Sequence, residues 1–333
     1  MSAPSTAASA ILLSYNCAEQ IAAAVRSVLD QQCEPLEVLI SDDASQDATF
    51  TVLQREVAAY QGPHRVKLRR RETNSGSKSA HLNDVFPLAT GQFLISFDGD
   101  DIAEPHRARR ILEAFRENPL VSAVFSDYAY MDGLGRAGRR RRVNHPLSGE
   151  DARHWFAKVD AYAPGATLAV RRDVVETFGP LDPAIHEDSV LPFRASLLGA
   201  VHYIDEALVR VRRWEGSFTT DRERFRSLNQ LRSWLLQGIA HARRQMEQRV
   251  KDLCKAEQLG LVEPQDLEAL RATVAGSLAE AEASACLASP SLLKRLRCFV
   301  TMVGSENYRQ HLGQNAFLTL APSLYIKYKQ LKN

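Results

Sequence analysis

The sequence lacks the features that mark several specialised classes of protein. Its five cysteines are widely spaced and contain no Cys-x-x-Cys pair, which argues against a disulfide framework or a cysteine zinc site. No apolar run approaches the roughly 18 residues that span a bilayer. There is no Asn-x-Ser/Thr acceptor site, and the basic and apolar pattern of a signal peptide is missing. Together these absences predict reduced thiols and a cytoplasmic location.

The chain also has little net charge. Its 42 basic and 40 acidic residues leave a formal charge of +2 at pH 7, so no global charge favours nucleic acid as a partner. Of its 333 residues, 45% are hydrophobic and 25% are charged, as in an ordinary globular protein. This length accommodates one large domain with an appendage, or two domains.

Short apolar strands alternate with amphipathic helices in the N-terminal part of the chain. The pattern predicts strands at 10–15, 36–41, 65–70, 92–97 and 120–130, with helices at about 18–30, 47–60, 78–88 and 105–117. This alternation indicates an α/β fold, with a mainly parallel sheet and helices on both faces. Because ligands bind beyond the carboxyl ends of such strands, functional residues are expected directly after each strand.

An acidic cluster follows the predicted strand at 92–97. Asp98, Asp100 and Asp101 surround Gly99, which allows a tight bend. Neighbouring carboxylates repel one another unless a cation lies among them, and Mg²⁺ and Mn²⁺ take oxygen ligands while keeping positions open for phosphates. The residues alone leave a second interpretation open, namely an acidic turn that caps the next helix.

Asp42 and Asp43 follow the second predicted strand and also have two interpretations. A solvated turn with a helix cap is one, and recognition of a base and ribose by carboxylate oxygens is the other. Glu187 and Asp188 are equally open, because they can begin a helix or supply a general base.

Short polar motifs follow one another in a characteristic order. They are Ser14-Tyr15-Asn16, Asp42-Asp43-Ala44-Ser45-Gln46-Asp47, Asn74-Ser75-Gly76, Ala80-His81-Leu82-Asn83, Asp98-Gly99-Asp100-Asp101, Gly165, Gly179-Pro180-Leu181-Asp182, Glu187-Asp188, Arg194 and Val211-Arg212-Arg213-Trp214-Glu215-Gly216-Ser217. Over residues 9–220 this series resembles the inverting glycosyltransferases of family two, which have the GT-A fold, a Rossmann-like α/β sheet. Each motif is weak alone, but their order and spacing are specific. His81 stands where the family usually has Arg, and Trp214 where it has His.

The resemblance implies a reaction and roles for these residues. A sugar would move, with inversion, from a UDP- or dTDP-linked donor to a hydroxyl of a saccharide or lipid-linked glycan, in cell-surface polysaccharide or glycolipid synthesis. Asp188 would be the base with Glu187 beside it, and Asp100 and Asp101 would hold Mg²⁺ or Mn²⁺. The residues implied to contact the donor are Ser14, Tyr15, Asn16, Asp42, Asp43, Asn74, Gly76, Lys78, His81, Asp98, Gly99, Arg212 and Arg213.

Two other functions compete with this interpretation. A sugar-nucleotide pyrophosphorylase shares a similar sheet and metal carboxylate, but it has a Gly-rich basic loop where this chain has Ser14 to Cys17. A non-catalytic nucleotide-sugar binder, or a scaffold of a glycan assembly complex, would keep the binding residues and lack turnover.

The composition changes beyond residue 220, which predicts a catalytic domain at 1–220 and a helical region at 221–333. From residue 290 onward the chain contains seven Lys/Arg residues and only one acidic residue, Glu306. This segment predicts either packing on the catalytic domain or contact with a partner, a second copy of the chain, or the inner face of the plasma membrane.

Two further stretches carry a weaker signal. Gly133 to Gly138 fits a Gly-x-Gly-x-x-Gly pattern, but arginines follow it, so Asp132-Gly133 is better interpreted as a hairpin turn. The run Arg139–Arg142 is typical of a solvated loop, with contact to an anionic acceptor such as a lipid-linked diphosphate as the alternative.

Overall fold

The computed structural model describes residues 7–132, 135–143, 150–158, 161–212, 227–285, 289 and 291–302. Within these residues a sheet of nine strands lies at the centre. The strands are β1 (Ala8–Ser14), β2 (Glu37–Asp42), β3 (Arg65–Arg70), β4 (Phe93–Asp98), β5 (Ile102–Ala103), β6 (Val121–Met131), β7 (Ala137–Arg141), β8 (Ala169–Arg171) and β9 (Ala200–Arg212). The helices are α1 (Ile21–Leu29), α2 (Thr49–Ala59), α3 (Lys78–Val85), α4 (Arg107–Glu117), α5 (Glu150–Phe156), α6 (Arg172–Phe178), α7 (Glu187–Leu198), α8 (Leu228–Gln258), α9 (Pro264–Ala285) and α10 (Leu292–Met302).

The strand order places several carboxyl ends at one edge of the sheet. It runs β3-β2-β1-β4-β8-β6-β9-β5, and β7 pairs with β6 outside this path. Strands β1 to β4 are parallel to one another, while β8 is antiparallel to both β4 and β6. The ends of β1, β2, β4 and β6 therefore meet at the same edge. The predicted α/β fold is confirmed, and each of the five predicted strands lies within two residues of its expected bounds.

Alternation along the central strands builds a core on each face of the sheet. In β1 every residue is buried, with Ile11 and Leu13 in the core on one face and Ala10 and Leu12 in the core on the other. A strand that is covered on both faces consists of consecutive apolar residues. The sequence therefore predicted β1 and β4 from their apolar runs.

Three residues of the arginine run, Arg139 to Arg141, are part of a strand, so the predicted loop was wrong there, although all four arginines are exposed as the prediction of solvated side chains requires. β7 pairs antiparallel with β6, and Arg140 Nε donates to the carboxylate of buried Asp127 at 2.8 Å. Arg140 also pairs with Asp205. The predicted turn is confirmed, because the Gly135 N–H donates to the Asp132 carbonyl at 2.9 Å between the two strands. Gly133 and Leu134 lie outside the described residues.

Part of the predicted helical region packs against the rest of the chain. Arg194 on α7 and Asp252 on α8 are both buried, and Arg194 Nε donates to Asp252 at 3.0 Å. None of the described helices is long and apolar enough to cross a membrane. Residues 213–226, which contain the predicted domain boundary, and residues 303–333, which contain most of the basic segment, lie outside the described part.

Removing one partner of this buried ion pair is expected to destabilise the fold strongly. Asp252→Ala leaves the guanidinium of Arg194, which is 0% exposed, without its counter-charge in the interior. Breaking a buried pair in this way costs about 3–5 kcal/mol of unfolding free energy. Urea unfolding of both proteins measures the change. Glu247→Ala is the matched control, because its partner Arg243 is exposed, and it should leave the midpoint unchanged. Equal midpoints for Asp252→Ala and wild type would contradict the pair's role.

Candidate active site

The end of β2 is held against the end of β1 by a buried carboxylate. Asp42 is fully buried, and it accepts hydrogen bonds from Ser14 Oγ at 3.2 Å and from the Ser45 N–H at 3.0 Å. The amide oxygen of Asn16 accepts from the Gln46 N–H at 2.7 Å. These hydrogen bonds join the ends of β1 and β2, and they fix the backbone around the predicted donor residues Ser14, Asn16 and Asp42.

Two residues that follow β1 and β2 have left-handed backbone conformations. Asn16 has a φ of 47° and Ala44 has a φ of 59°. This conformation is uncommon for residues other than glycine and costs about 1–3 kcal/mol when it is strained, and it clusters at ligand sites. Tyr15, which follows β1, is 50% exposed. The backbone therefore presents Tyr15 to solvent at the edge of the sheet.

Asp43 is tied to the segment that precedes α3. Its carboxylate accepts from Asn74 Nδ2 at 3.1 Å and from the N–H of Ser75 at 2.9 Å, and Arg71 Nε lies 3.0 Å away. Gly76 follows with a φ of 82°, in the left-handed region that glycine enters readily. Predicted donor residues from two separate motifs are thus in direct contact.

His81 does not reach this surface. Its ring is 3% exposed, and Nε2 lies 2.7 Å from Ser41 Oγ on β2. Burial lowers the pKa of His81 to about 4, against the raising effect of the Asp43 charge. The neutral, buried imidazole packs against β2 and supplies no positive charge for phosphates.

The acidic turn after β4 is closely packed on β1. A Cβ on Gly99 would lie 2.9 Å from the Leu13 carbonyl oxygen and 3.1 Å from Ser14 Cβ. Only glycine fits this approach without displacing backbone. The packing sets the positions of Asp98 and Asp100, both half-buried, on either side of Gly99.

Asp101 links the acidic turn to the end of β9. One of its carboxylate oxygens accepts the Arg212 N–H at 2.9 Å, and Arg212 Nε donates to the Asp100 carbonyl at 3.1 Å. Burial raises the pKa of Asp101 well above its usual range, and the charges of Asp100 and Asp98 raise it further. Arg212, a predicted donor-binding residue, therefore contacts the acidic turn, while Arg213 lies outside the described residues.

Lys78 joins the acidic turn to the start of α7. Its ammonium lies 2.6 Å from Asp98 Oδ1 and 2.8 Å from Glu187 Oε1. Burial acts to lower the pKa of Lys78, but the two carboxylates outweigh it and raise the pKa above its ordinary value. One cation thus brings together carboxylates that are far apart in the sequence.

The first turn of α7 presents Asp188 beside this bridge. Glu187 is buried, whereas Asp188 is half-buried and its carbonyl accepts the Ala163 N–H at 2.9 Å. A Cβ on Gly165 would lie 2.5 Å from Glu187 Oε1, so the short turn at Gly165–Thr167 packs directly on this pair. Of the two residues, Asp188 is the more exposed.

Sequence reasoning missed a buried arginine beneath the acidic turn. Arg107 is 1% exposed, and its guanidinium lies 4.4 Å from the centre of the Phe97 ring. Among the described residues, its Nε and one terminal nitrogen have no hydrogen-bond partner. Burial lowers the pKa of Arg107 to about 10, against the raising effect of Asp98 and Asp101. The available signal was its place in the first turn of α4, where a cation opposes the helix dipole.

Comparison with known proteins identifies the family to which this site belongs. The model of glycosyl transferase family 2 matches residues 9–179, which is more than half of the chain. The chain belongs to glycosyl transferase family 2.

One further protein and two solved structures are similar to this chain. An uncharacterized glycosyltransferase of Nostoc sp. is 29% identical over 210 residues, covering 61% of this chain and 64% of that protein. TarS of S. aureus in complex with UDP-GlcNAc matches with a TM-score of 0.54 and 18% identity, over 92% of this chain and 90% of that one. A mannosyltransferase from Pyrobaculum calidifontis in complex with GDP-Man and Mn²⁺ matches with a TM-score of 0.55 and 18% identity, over 98% and 87%. These likenesses establish the GT-A fold.

The acidic turn of this family 2 chain fits a divalent cation that is shared with a ligand. Among the described residues, no three acidic, histidine or cysteine side chains are grouped as a complete metal-binding set. Mg²⁺ is commonly held by one or two carboxylates together with substrate phosphates. Asp100 is half-buried, and Asp101 uses one oxygen for Arg212, so the turn offers the small number of oxygens that such binding requires.

In this family 2 site, Gly99→Ala is expected to impair turnover. The added methyl must displace the β1 backbone at Leu13, which moves the acidic turn away from the sheet edge. A misplacement of about 1 Å in an active site can cost about 10²-fold in rate. Steady-state kcat/KM measures the loss. Gly238→Ala is the matched control, because a Cβ there meets nothing within 4 Å, and it should keep full activity. A wild-type kcat/KM for Gly99→Ala would contradict the close packing.

Proposed function

We propose that the chain is an inverting, metal-dependent glycosyltransferase that moves a sugar from a nucleoside diphosphate to an acceptor hydroxyl. The observation that carries this proposal is the Lys78 bridge. It places the acidic turn, through Asp98, next to the turn that bears Asp188, through Glu187. A leaving-group site and a solvent-accessible carboxylate at one sheet edge are what a single displacement requires.

The base in this reaction is Asp188. Glu187 is buried and paired with Lys78, so its carboxylate is engaged, whereas Asp188 is half-buried at the start of α7. A carboxylate accepts the proton of the acceptor hydroxyl as the oxygen attacks the anomeric carbon. Because the transition state resembles an oxocarbenium ion, positioning and charge stabilisation contribute most to the rate. Glu187 acts in this scheme by holding Lys78 and the first turn of α7.

Asp100 and Asp101 are the proposed ligands of Mg²⁺ or Mn²⁺. The cation would neutralise the charge that develops on the departing nucleoside diphosphate, a contribution of several kcal/mol. Arg212 lies at the same turn and adds positive charge on the protein side. Asp98, held by Lys78, faces the ribose or sugar of the donor in this proposal.

The nucleoside is recognised at the ends of β1 and β2. Tyr15 is exposed there, beside the turn that Asp42 and Asp43 stabilise from within. UDP- and dTDP-sugars are the donors that we propose, with an acceptor in cell-surface polysaccharide or glycolipid synthesis. The two solved relatives carry UDP-GlcNAc and GDP-Man, so the base needs a direct test.

A thermal-shift panel tests the donor and the metal together. The full chain is melted with UDP, dTDP, GDP and the corresponding sugar nucleotides, each with Mn²⁺ and with EDTA. A ligand that binds only the native state at about 100 times its Kd adds about 2.7 kcal/mol of stability. We expect UDP or dTDP to raise the midpoint with Mn²⁺ and much less with EDTA. No shift with any nucleotide would contradict the proposed function.

A further inference from the structure

A group of tyrosines lies next to the proposed base and belongs to none of the motifs described above. Tyr128 and Tyr130 are on β6, with ring centres 5.4 Å apart in an edge-to-face arrangement and hydroxyls 3.4 Å apart. The guanidinium of Arg141 on β7 lies 6.0 Å from the centre of the Tyr130 ring, and Arg141 is the strand partner of Tyr128. We call Tyr128, Tyr130, Tyr162 and Arg141 the tyrosine cluster.

The fold brings this cluster to the catalytic edge of the sheet. Met131, at the end of β6, pairs with Arg212, which contacts the acidic turn. Tyr162 precedes Ala163, whose N–H donates to the Asp188 carbonyl at 2.9 Å. Burial raises the pKa of Tyr162, and the negative charge of Asp188 raises it further. The backbone next to Tyr162 therefore contacts that of Asp188, and the end of β6 that follows Tyr130 pairs with Arg212.

The cluster is held rigidly from the opposite side of the β6–β7 hairpin. The carboxylate of Asp127 is fully buried and accepts from Arg140 Nε at 2.8 Å, from the Val143 N–H at 2.8 Å and from the Tyr203 hydroxyl at 2.6 Å. These bonds attach β7 to β6 and fix Arg141 beside the tyrosines. Tyr162 is 50% exposed. A preorganised aromatic surface with hydroxyls and one guanidinium is thus open to solvent next to the base.

We propose that the tyrosine cluster is the acceptor subsite and that it binds the pyranose ring of a saccharide. This inference rests on the proposed function. The C–H faces of a pyranose pack on aromatic rings, and its hydroxyls match the phenol and guanidinium groups. Charge favours a saccharide over a lipid diphosphate, because Arg140 is engaged by Asp127 and Asp205, and Arg142 lies 3.6 Å from Asp205.

Saturation-transfer NMR on the full chain tests this subsite without relying on turnover. The probes are the methyl glycosides of glucose, galactose, mannose and N-acetylglucosamine, with farnesyl diphosphate as the anionic lipid probe, all in the presence of UDP and Mg²⁺. We expect saturation of the ring protons of at least one glycoside. Tyr162→Ala should weaken its binding about 3- to 10-fold, the effect of losing one aromatic contact. Tyr162→Phe should retain most of the binding.

The controls separate this inference from the proposed function. Tyr162 is half exposed, so its replacement is expected to leave the fold intact. Tyr60→Ala, in the segment between α2 and the start of β3, should bind like wild type. Saturation of no glycoside, or equal binding by Tyr162→Ala and wild type, overturns the subsite, and a UDP-induced thermal shift in the same samples shows that the donor site stands. Binding of farnesyl diphosphate alone, abolished by Arg141→Ala, also overturns it. Glycoside binding that depends on Tyr162 supports the subsite whether or not UDP binds.

Discussion

Replacing Asp188 by Asn is expected to lower kcat by about 10²- to 10⁴-fold, the usual contribution of a positioned general base. The amide is nearly isosteric with the carboxylate but cannot accept the proton of the acceptor hydroxyl. Because Asp188 lies at the start of α7 and the proposed nucleoside contacts are at the ends of β1 and β2, donor binding should be unchanged. Nucleotide release under saturating donor and acceptor gives kcat, and a thermal shift with the nucleotide gives binding.

Two further variants serve as comparisons for the kcat of Asp188→Asn. Asp30→Asn makes the same chemical change at an exposed position after α1 and should have wild-type kcat. Glu187→Gln removes the charge of one of the two carboxylate partners of Lys78 and should reduce both donor binding and kcat, because Lys78 also pairs with Asp98. Equal turnover by Asp188→Asn and wild type would refute the base assignment. Nucleotide binding without turnover in the wild type would instead indicate a non-catalytic binder.

If Asp100 is a metal ligand as proposed, replacing it by Asn is expected to reduce kcat/KM by at least about 10²-fold, because a bound metal contributes several kcal/mol to stabilising the transition state. The side chain is half-buried on the open side of the acidic turn. Its loss should also remove the part of nucleotide binding that depends on Mn²⁺. Isothermal titration of UDP with Mn²⁺ and with EDTA measures this second effect separately from turnover.

Asp101→Asn is the informative comparison for Asp100→Asn. The Asp101 carboxylate is buried and accepts the Arg212 N–H, so its replacement should lower the melting midpoint as well as the activity. Asp100→Asn should lower the activity without a comparable loss of stability. If UDP bound to Asp100→Asn with the same Mn²⁺ dependence as to wild type, Asp100 would not be a metal ligand.

The sequence predicted the elements whose signal is local. β1 and β4 are buried on both faces and read as continuous apolar runs, and polar residues follow each of them. Parallel pairing then brings those polar residues to one edge, a step that needs no knowledge of side-chain contacts. The positions of Asp98 and Asp42 followed from this reasoning.

Contacts between distant residues were beyond the sequence. Nothing local shows that Arg194 pairs with Asp252 on another helix, or that Lys78 lies between Asp98 and Glu187. His81 stands in a motif of donor residues, yet its burial was decided by how α3 packs on β2. Tertiary packing, which the sequence does not show, therefore decides which of these residues lie in the site.

The site contains cationic side chains that act as counter-ions to its carboxylates, and these bear on how a divalent ion would enter and leave it. Lys78 bridges two of its carboxylates, the buried Arg107 lies beneath the acidic turn, and Arg212 holds the turn from the side. These cations offset the acidic charge when no divalent ion is present. Under the proposed function, a divalent ion would therefore not be needed to balance charge in the empty site, and we expect it to arrive with each incoming nucleotide and to leave with each spent one.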